Sequence, residues 1–589
     1  MMEKEDQGFE AIVQRMLDGN FDDWPNEAGF EGLDEVRGPV KLNVQGSIPH
    51  WAQGTLYRTG PGEYQVENTP LGTYHTTHWF DGFAHSHRFS IIANCENTEE
   101  SVTVEYSSRR QSQNYVDAIR KTGRAPNISF GQRHDPCISL FGKVMSVWQK
   151  PEPKADPTSD NVCVAVHANV PGISSNARKD NSSSGHRNGI KNLWLTTDAG
   201  LLKEIDRDTL EPVGVATQQK LHPLLTGTMS CAHAQRDLET GDIFNYNLTV
   251  GFQPTYRIFR TNVSNGTTDI LATICLPDVK PAYIHSFFLS PSFVIFCVPS
   301  SHFGLGGVKI PWNKNIADAI EPFDKSKLCK WFIIDRRGDR GIVATFTSAA
   351  GFYFHSINSY EEADESTGDV GVICDVVQYP STDIIRSFEM DVLLKNNGAA
   401  KNFWGNEERN RNSIARLVRH RFHIPAAKDE TITTNQITGE EILEIKAPHI
   451  GELPTINPSY ATKKYRYVYS LPSRGYSTLC DTIVKTDLVT RGTAFWDNPK
   501  GHTPGEAIFI PRPKAPEESD EELDEDDGVL MSVVLDGFSK RSYLLCLDAR
   551  TMEELGRAEC DWAIGFGFHG LHMSSVVPHI WYNTAKSDE

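Results

Sequence analysis

Three stretches of this chain repeat one plan: an apolar strand, an acidic or glycine-bearing turn, and a second apolar strand. Leu201 to Ile205 leads through residues 206–209 into residues 210–213. Trp331 to Asp335 turns at residues 336–338 into residues 342–346, and residues 542–547 lead through 548–551 into 552–555. Serial hairpins of this kind point to an all-β fold, specifically a β-propeller, in which radial sheets bury their faces against one another. The repeats are too degenerate to count blades. The chain has 589 residues, a length that would ordinarily divide into several cores. Closed β architectures are the exception. No Pro/Gly linker interrupts the pattern, so the expectation is an N-terminal extension over 1–45 and a single propeller domain over 46–589. Residues 464–469 alternate as a half-buried strand. Helical signal is confined to residues 118–121 and 398–410, and residues 151–160 and 171–188 read as loops.

The formal net charge is −19, which argues against a nucleic-acid partner because that would need a basic face. Part of the charge sits in an acidic loop insertion at about 514–527, where residues 517–527 are almost wholly acidic. It reads as a solvated insertion between two strands, with a regulatory or partner-binding role as the alternative. The 11 cysteines are scattered singly, without a CxxC pair, and fit reduced thiols in the cytosol. The glycosylation sequons at Asn127, Asn247 and Asn265 mean little without secretion. The first residues carry no signal-peptide pattern, and no run is long and apolar enough to span a bilayer. The expected location is cytoplasmic, with peripheral contact to membranes or lipid droplets left open. The oligomeric state is not legible.

Four histidines lie in distinctive contexts: Ser230-Cys231-Ala232-His233-Ala234, Tyr283-Ile284-His285-Ser286-Phe287-Phe288, Phe352-Tyr353-Phe354-His355-Ser356 and Phe566-Gly567-Phe568-His569-Gly570-Leu571. A lone histidine is usually a satisfied core or surface side chain. Here the shared apolar walls suit a buried metal with access limited to small or greasy molecules. If the fold brings the four together, they form an all-nitrogen site that leaves the ion's charge in place and two octahedral positions open. Such a site suits iron(II) and dioxygen and departs from the two-His-one-carboxylate triad. Carboxylates are then expected to take the Nδ1–H protons and fix the rings. His75, His78, His85 and His87 cluster with other spacings and read as structural or pocket-lining.

In order along the chain come Gly54-Thr55-Leu56-Tyr57-Arg58-Thr59-Gly60-Pro61-Gly62, His78-Trp79-Phe80-Asp81-Gly82-Phe83, the four histidine contexts and Phe568-His569-Gly570-Leu571. On these motifs the chain resembles the carotenoid cleavage oxygenases over nearly its whole length. The resemblance implies a seven-bladed propeller with Fe(II) on its axis, and a helical and loop cap enclosing a hydrophobic tunnel. His233, His285, His355 and His569 match the iron ligands. Of the family's three acidic partners, Glu452 in Gly451-Glu452-Leu453-Pro454 matches one and Glu506 in Gly505-Glu506-Ala507-Ile508 another. The third falls at Asp198, where the family usually has glutamate; the shorter side chain would reach its histidine directly or through water.

The implied reaction inserts both atoms of dioxygen across a conjugated carbon–carbon double bond, giving two carbonyl products. The implied partners are an apolar polyene and dioxygen. Phe80, Phe354, Phe566 and Phe568 are candidate tunnel residues, with ordinary core packing as the alternative. The wording of the chain is similar to the fungal subgroup that cleaves torulene and β-carotene. A stilbene such as resveratrol is the second substrate class. Stilbene-cleaving relatives use a lysine beside the acid at this third position, and the four residues before Asp198 contain none. A buried phenol without a polar partner would cost about 1–3 kcal/mol, so a carotenoid or apocarotenoid ranks first. A non-oxidative isomerase like the family's retinoid member and a non-catalytic propeller are the remaining alternatives.

Overall fold

In the computed structural model, residues 2–31, 33–94, 102–133, 156–173, 189–425, 438–514 and 524–575 are described. Seven antiparallel sheets succeed one another along the chain as the blades of a propeller. Blade one holds Val40–Lys41, Gly54–Glu63, Phe83–Ala93, Val102–Arg110 and the C-terminal strand His569–Ser574. Blades two to six are four-stranded sheets whose first strands are Ala165–Ala168, Gln235–Arg236, Phe288–Leu289, Phe352–Ala363 and Glu452–Thr455. Blade seven joins strands between His502 and Glu559 with the early strand Asn43–Gly46.

The ring is closed twice. His569–Ser574 pairs with Gly54–Glu63, with Thr59 opposite His569. Asn43–Gly46 pairs with Glu554–Glu559. A domain boundary at residue 45 therefore falls inside a strand of the ring. Closure of this kind leaves few exposed ladder groups, and it draws His569 to the axis although it lies at the far end of the chain.

The three hairpins expected from the sequence are present, and their turns share a device. Asp206 Oδ1 accepts from the N–H groups of Asp208 and Thr209 at 2.9 Å each. Asp335 Oδ1 does the same for Arg337 and Gly338 at 3.1 Å, and Asp548 Oδ1 for Arg550 and Thr551 at 2.8 Å. An aspartate that satisfies the turn's own donors fixes the hairpin locally. The strand expected at 464–469 runs instead as Tyr467–Leu471, because Glu525 Oε1 accepts the N–H groups of Arg466 and Tyr467 at 2.9 and 2.7 Å. The acidic insertion does lie between two strands, Ile508–Pro511 and Gly528–Asp536. Its end is not free in solvent: besides Glu525, Asp526 pairs with buried Lys485. Residues 515–523 and most of the loop candidates 151–160 and 171–188 lie outside the described residues.

The helix expected near 118–121 spans Gln113–Thr122, and that at 398–410 is a pair, Ala399–Trp404 and Glu407–Asn412. One long helix was not expected: α1, Met2–Asp18, although Phe9, Ile12, Val13, Met16 and Leu17 fall at the helical spacing of one apolar face. It buries Ile12, Val13 and Met16 against Phe403, Trp404 and Ile414, each contributing about 1.5–3 kcal/mol. Polar contacts also hold it, among them Glu5 to Arg491, Asp6 to Lys446, Glu10 to Arg411, and the Arg15 guanidinium to the Arg474 carbonyl. Together these helices cap one face of the ring.

Candidate metal centre

The four histidines expected from the sequence meet on the propeller axis, their ligand atoms all within 4.8 Å of one another. The sheet edges explain why. Gln235–Arg236, Phe288–Leu289, Phe352–Ala363 and His569–Ser574 are each an edge strand of their own sheet, and each histidine stands in or just before one of them. The register is broken between Tyr353 and Ser356, across His355, and again between Glu452 and Thr455. A bulge of this kind re-aims a side chain out of the strand's alternation. The serines that follow two of the histidines knit adjacent blades at the axis. Ser286 Oγ donates to Phe354 O and accepts from Ser356 N, both at 2.7 Å, and Ser356 Oγ donates to Phe287 O at 2.9 Å.

All three expected carboxylates take imidazole Nδ1–H protons. Asp198 Oδ2 lies 2.8 Å from His285 Nδ1, Glu452 Oε2 lies 2.6 Å from His355 Nδ1, and Glu506 Oε1 lies 2.7 Å from His569 Nδ1. Asp198 reaches its histidine directly. Among the described residues no carboxylate holds His233. Each acid has a further donor that sequence reasoning missed. The Tyr283 hydroxyl donates to Asp198 at 2.8 Å and the Tyr379 hydroxyl to Glu452 at 2.7 Å. Buried Arg58 donates to the Glu506 carbonyl at 3.0 Å and to its carboxylate at 3.4 Å, which also accepts from Gly570 N at 2.7 Å. Tyr283 was legible in hindsight, since two residues before His285 in extended chain is the same face. Tyr379 had no local signal.

Burial pushes the Glu452 and Glu506 carboxyls up, but their histidines, with Tyr379 for Glu452 and Arg58 for Glu506, outweigh it and hold both below the usual carboxylate range. Both are therefore ionised acceptors, and the protons of His355 and His569 sit on Nδ1. His355 Nε2 and His569 Nε2 then face each other at 3.3 Å as bare lone pairs, which is not a hydrogen bond. His285, whose Nδ1 faces Asp198 Oδ2 at 2.8 Å, has its Nε2 3.1 Å from His233 Nε2. Neighbouring ligands at right angles on bonds of about 2.1 Å would stand about 3.0 Å apart. The donor set therefore fits a cation between the four nitrogens. Burial, then repulsion among imidazoles, lowers the His233 pKa well below its ordinary value. Burial also takes His569 to about 4, so both rings are neutral at physiological pH.

The centre opens into a cavity of about 1050 Å³, at the upper end for small-molecule sites. Phe80, Phe354 and Phe568 line it. Phe566 does not: it packs on Phe30 with ring centroids 5.2 Å apart, under Gly29. The residues before His569 make no regular strand, so the spacing of two does not put Phe566 and Phe568 on one face. Of the other histidine group, His75 is exposed and the remaining three are buried away from the centre. His78 bonds the Ile385 carbonyl at 2.9 Å, and His87 the Tyr106 hydroxyl at 2.8 Å with the His85 ring beside it. The nine described cysteines are all free.

The family model described as retinal pigment epithelial membrane protein matches residues 29–574. A carotenoid dioxygenase of Neurospora crassa is 52% identical over 584 residues, covering 96% of this chain and 94% of the relative. A torulene dioxygenase of Gibberella fujikuroi is 46% identical over 582 residues, covering 98% of each chain. Among solved structures, cobalt-substituted apocarotenoid oxygenase of Synechocystis superposes with a TM-score of 0.67 at 19% identity, over 93% of this chain and 98% of that one.

Proposed function

The chain belongs to the carotenoid oxygenase family, and we propose that it is an iron(II)-dependent dioxygenase that cleaves a conjugated double bond of a carotenoid or apocarotenoid, of the torulene or β-carotene type, to aldehydes. The observation that carries this reading is the set of facing, proton-free Nε2 atoms at the floor of an aromatic cavity. His233, His285, His355 and His569 are the assigned metal ligands.

Bound there, iron(II) supplies the binding and activation of dioxygen. The protein's own groups do the rest. Asp198, Glu452 and Glu506 keep three rings as Nδ1–H tautomers and aim their Nε2 atoms into the cavity. Three carboxylates, one divalent ion and the Arg58 guanidinium sum to zero, so a buried centre carries no net charge. Phe80, Phe354 and Phe568 wall the cavity beside the metal and leave water few partners. The carboxylates nearest the centre are all engaged with imidazoles, and none is needed as an acid or base. One double bond and one dioxygen molecule become two carbonyl groups, with no proton consumed.

Support for a docked membrane surface comes from the cavity's mouth. Phe252 is 91% exposed, Leu305 65% and Leu224 53%. The Gly251 N–H bonds the Gly306 carbonyl at 2.8 Å, which joins the loops of Phe252 and Leu305, while Val250 and Leu225 next to the exposed residues line the cavity. Among the described residues no helix is long and apolar enough to cross a membrane. We assign these side chains as the contact through which lipid-dissolved polyene enters.

The test is turnover of carotenoids by iron-loaded protein under labelled dioxygen, with products read by mass spectrometry. Two aldehydes, each carrying one labelled oxygen, are expected. Efficient cleavage of resveratrol with carotenoids and apocarotenals left untouched would overturn the substrate class, and unlabelled isomerised product would overturn the reaction.

A further inference from the structure

The cavity crosses the propeller axis. On one side it is lined by segments above blades two to four, such as Leu225, Val250 and Ile310; on the other by segments of blades five and six, such as Trp404 and Ile450. In a seven-membered ring blade three of the first group and blade six of the second stand as far apart as the ring allows, with the imidazoles at the axis. The two ends differ in exposure. Near the first, Ile128 is 43% exposed and Leu224 53%. At the second, Trp404, Ile414 and Ile450 are buried, and so are two residues from α1: Ile12 at 0% and Met16 at 2% exposed, both lining the cavity. α1 lies wholly before residues 29–574, the part that the family model matches.

We propose that α1 is the closed end wall of the substrate cavity, and that Ile12 and Met16 determine how much polyene fits beyond the metal and hence which double bond lies over it. This rests on the dioxygenase reading above. A conjugated chain is a stiff rod, so it cannot fold back to use spare width. Once its leading end meets a wall, its register over the metal is set by the distance from wall to metal. The wall does not drift, because α1 is tied to blades five and six at both ends. Near its start Glu5, itself buried, pairs with Arg491 at 2.7 Å and Asp6 with Lys446 at 2.8 Å; near its end Arg15 holds the Arg474 carbonyl at 2.8 Å. The Asn410 side-chain amide also donates to the Val13 carbonyl in mid-helix, at 3.1 Å. Met16 is unbranched and apolar, so exchanging it changes the reach of the wall without adding a charge.

The experiment compares the full-length, iron-loaded wild type with Met16→Trp, Met16→Ala and Ile12→Ala, on a long and a short polyene aldehyde that differ by two isoprene units. It reads kcat/KM for each, the masses of the products and the melting temperature. Met16→Trp is expected to shift the long-to-short ratio of kcat/KM toward the short substrate by roughly tenfold or more, the order that a change of a few carbons in an apolar site produces. The alanine variants are expected to shift it the other way or to move the cleaved bond along the chain. If Met16→Trp shows no cooperative melting, the alanine variants alone carry the test. An unchanged ratio and unchanged product masses in folded variants would overturn the assignment. Wild-type protein that leaves both polyenes intact would overturn the reaction reading and the wall together; wild-type turnover with an unchanged ratio would overturn the wall alone.

Discussion

Asp198 Oδ2 accepts the Nδ1–H of His285 at 2.8 Å, although its side chain is one methylene shorter than the glutamates that hold His355 and His569. The shorter arm is compensated by position. Asp198 Oδ1 also accepts from Ala232 N at 3.1 Å, and Oδ2 from the Tyr283 hydroxyl at 2.8 Å, so the carboxylate is fixed from three sides. Asp198→Asn removes the anion with little change of shape. It is expected to weaken metal retention by about 10–100-fold, read by chelator competition and by metal content after dialysis. Tyr283→Phe keeps the anion and loses one hydrogen bond, a loss of about 1 kcal/mol, so its effect is expected to be several-fold at most. Retention equal to wild type in Asp198→Asn would remove this residue from the metal site.

The fold and the four histidines were legible because both rest on local pattern. Hairpins announce themselves through turn aspartates such as Asp206 and Asp548, and three of the four histidines through aromatic neighbours such as Phe354 and Phe568. What was not legible depends on residues far apart in the chain. α1 carries an apolar face in its own sequence, but where it docks is set by Arg411 and Arg491, some 400 positions and more away. Tyr379 acts on Glu452 across 73 positions. Phe566 was a candidate for the tunnel or for ordinary core, and its packing against Phe30, far away in the chain, decides for core.

Arg58 is 3% exposed and is the only cation paired with Glu506 among the described residues. Removing one partner of such a pair leaves the other charge buried and uncompensated, which costs about 3–5 kcal/mol. Arg58→Met is therefore expected to lower both the melting temperature and the metal content. Arg58→Lys is expected to recover part of each, because a lysine keeps the charge but not the placement of Nη1, which donates to both the Glu506 carbonyl and carboxylate. Full metal content in Arg58→Met would show that Glu506 needs no cation to hold His569.

If the exposed apolar rim meets lipid, charge placed there must weaken binding without disturbing the interior. Phe252→Asp and Leu305→Asp are expected to reduce co-sedimentation with neutral phospholipid vesicles several-fold. Turnover of a detergent-solubilised substrate and the melting temperature should stay near wild type, because both side chains point to solvent. Equal vesicle binding by the double variant would assign membrane contact elsewhere.

Buried neutral histidines away from the metal give the fold an acid sensitivity of calculable sign. Burial, then nearby arginine charge, lowers His420 to about 4; burial lowers His78 to about 3, with the Ile385 carbonyl only partly opposing it. In the unfolded chain both titrate near about 6.5. Between these values the unfolded state binds more protons than the folded state, so stability is present in full above about pH 6.5 and is lost as pH falls toward the folded values. At pH 5 each group should have cost about 2 kcal/mol. His420 lies against Trp331 and Phe422, with its Nε2 3.3 Å from Gln378 Oε1. His420→Gln keeps a polar group there but cannot titrate. The melting temperature of wild-type protein is expected to fall between pH 7 and pH 5, and His420→Gln to fall less steeply over the same interval. Parallel curves for the two proteins would mean that His420 takes up its proton equally in the folded and unfolded states, which its apolar setting argues against.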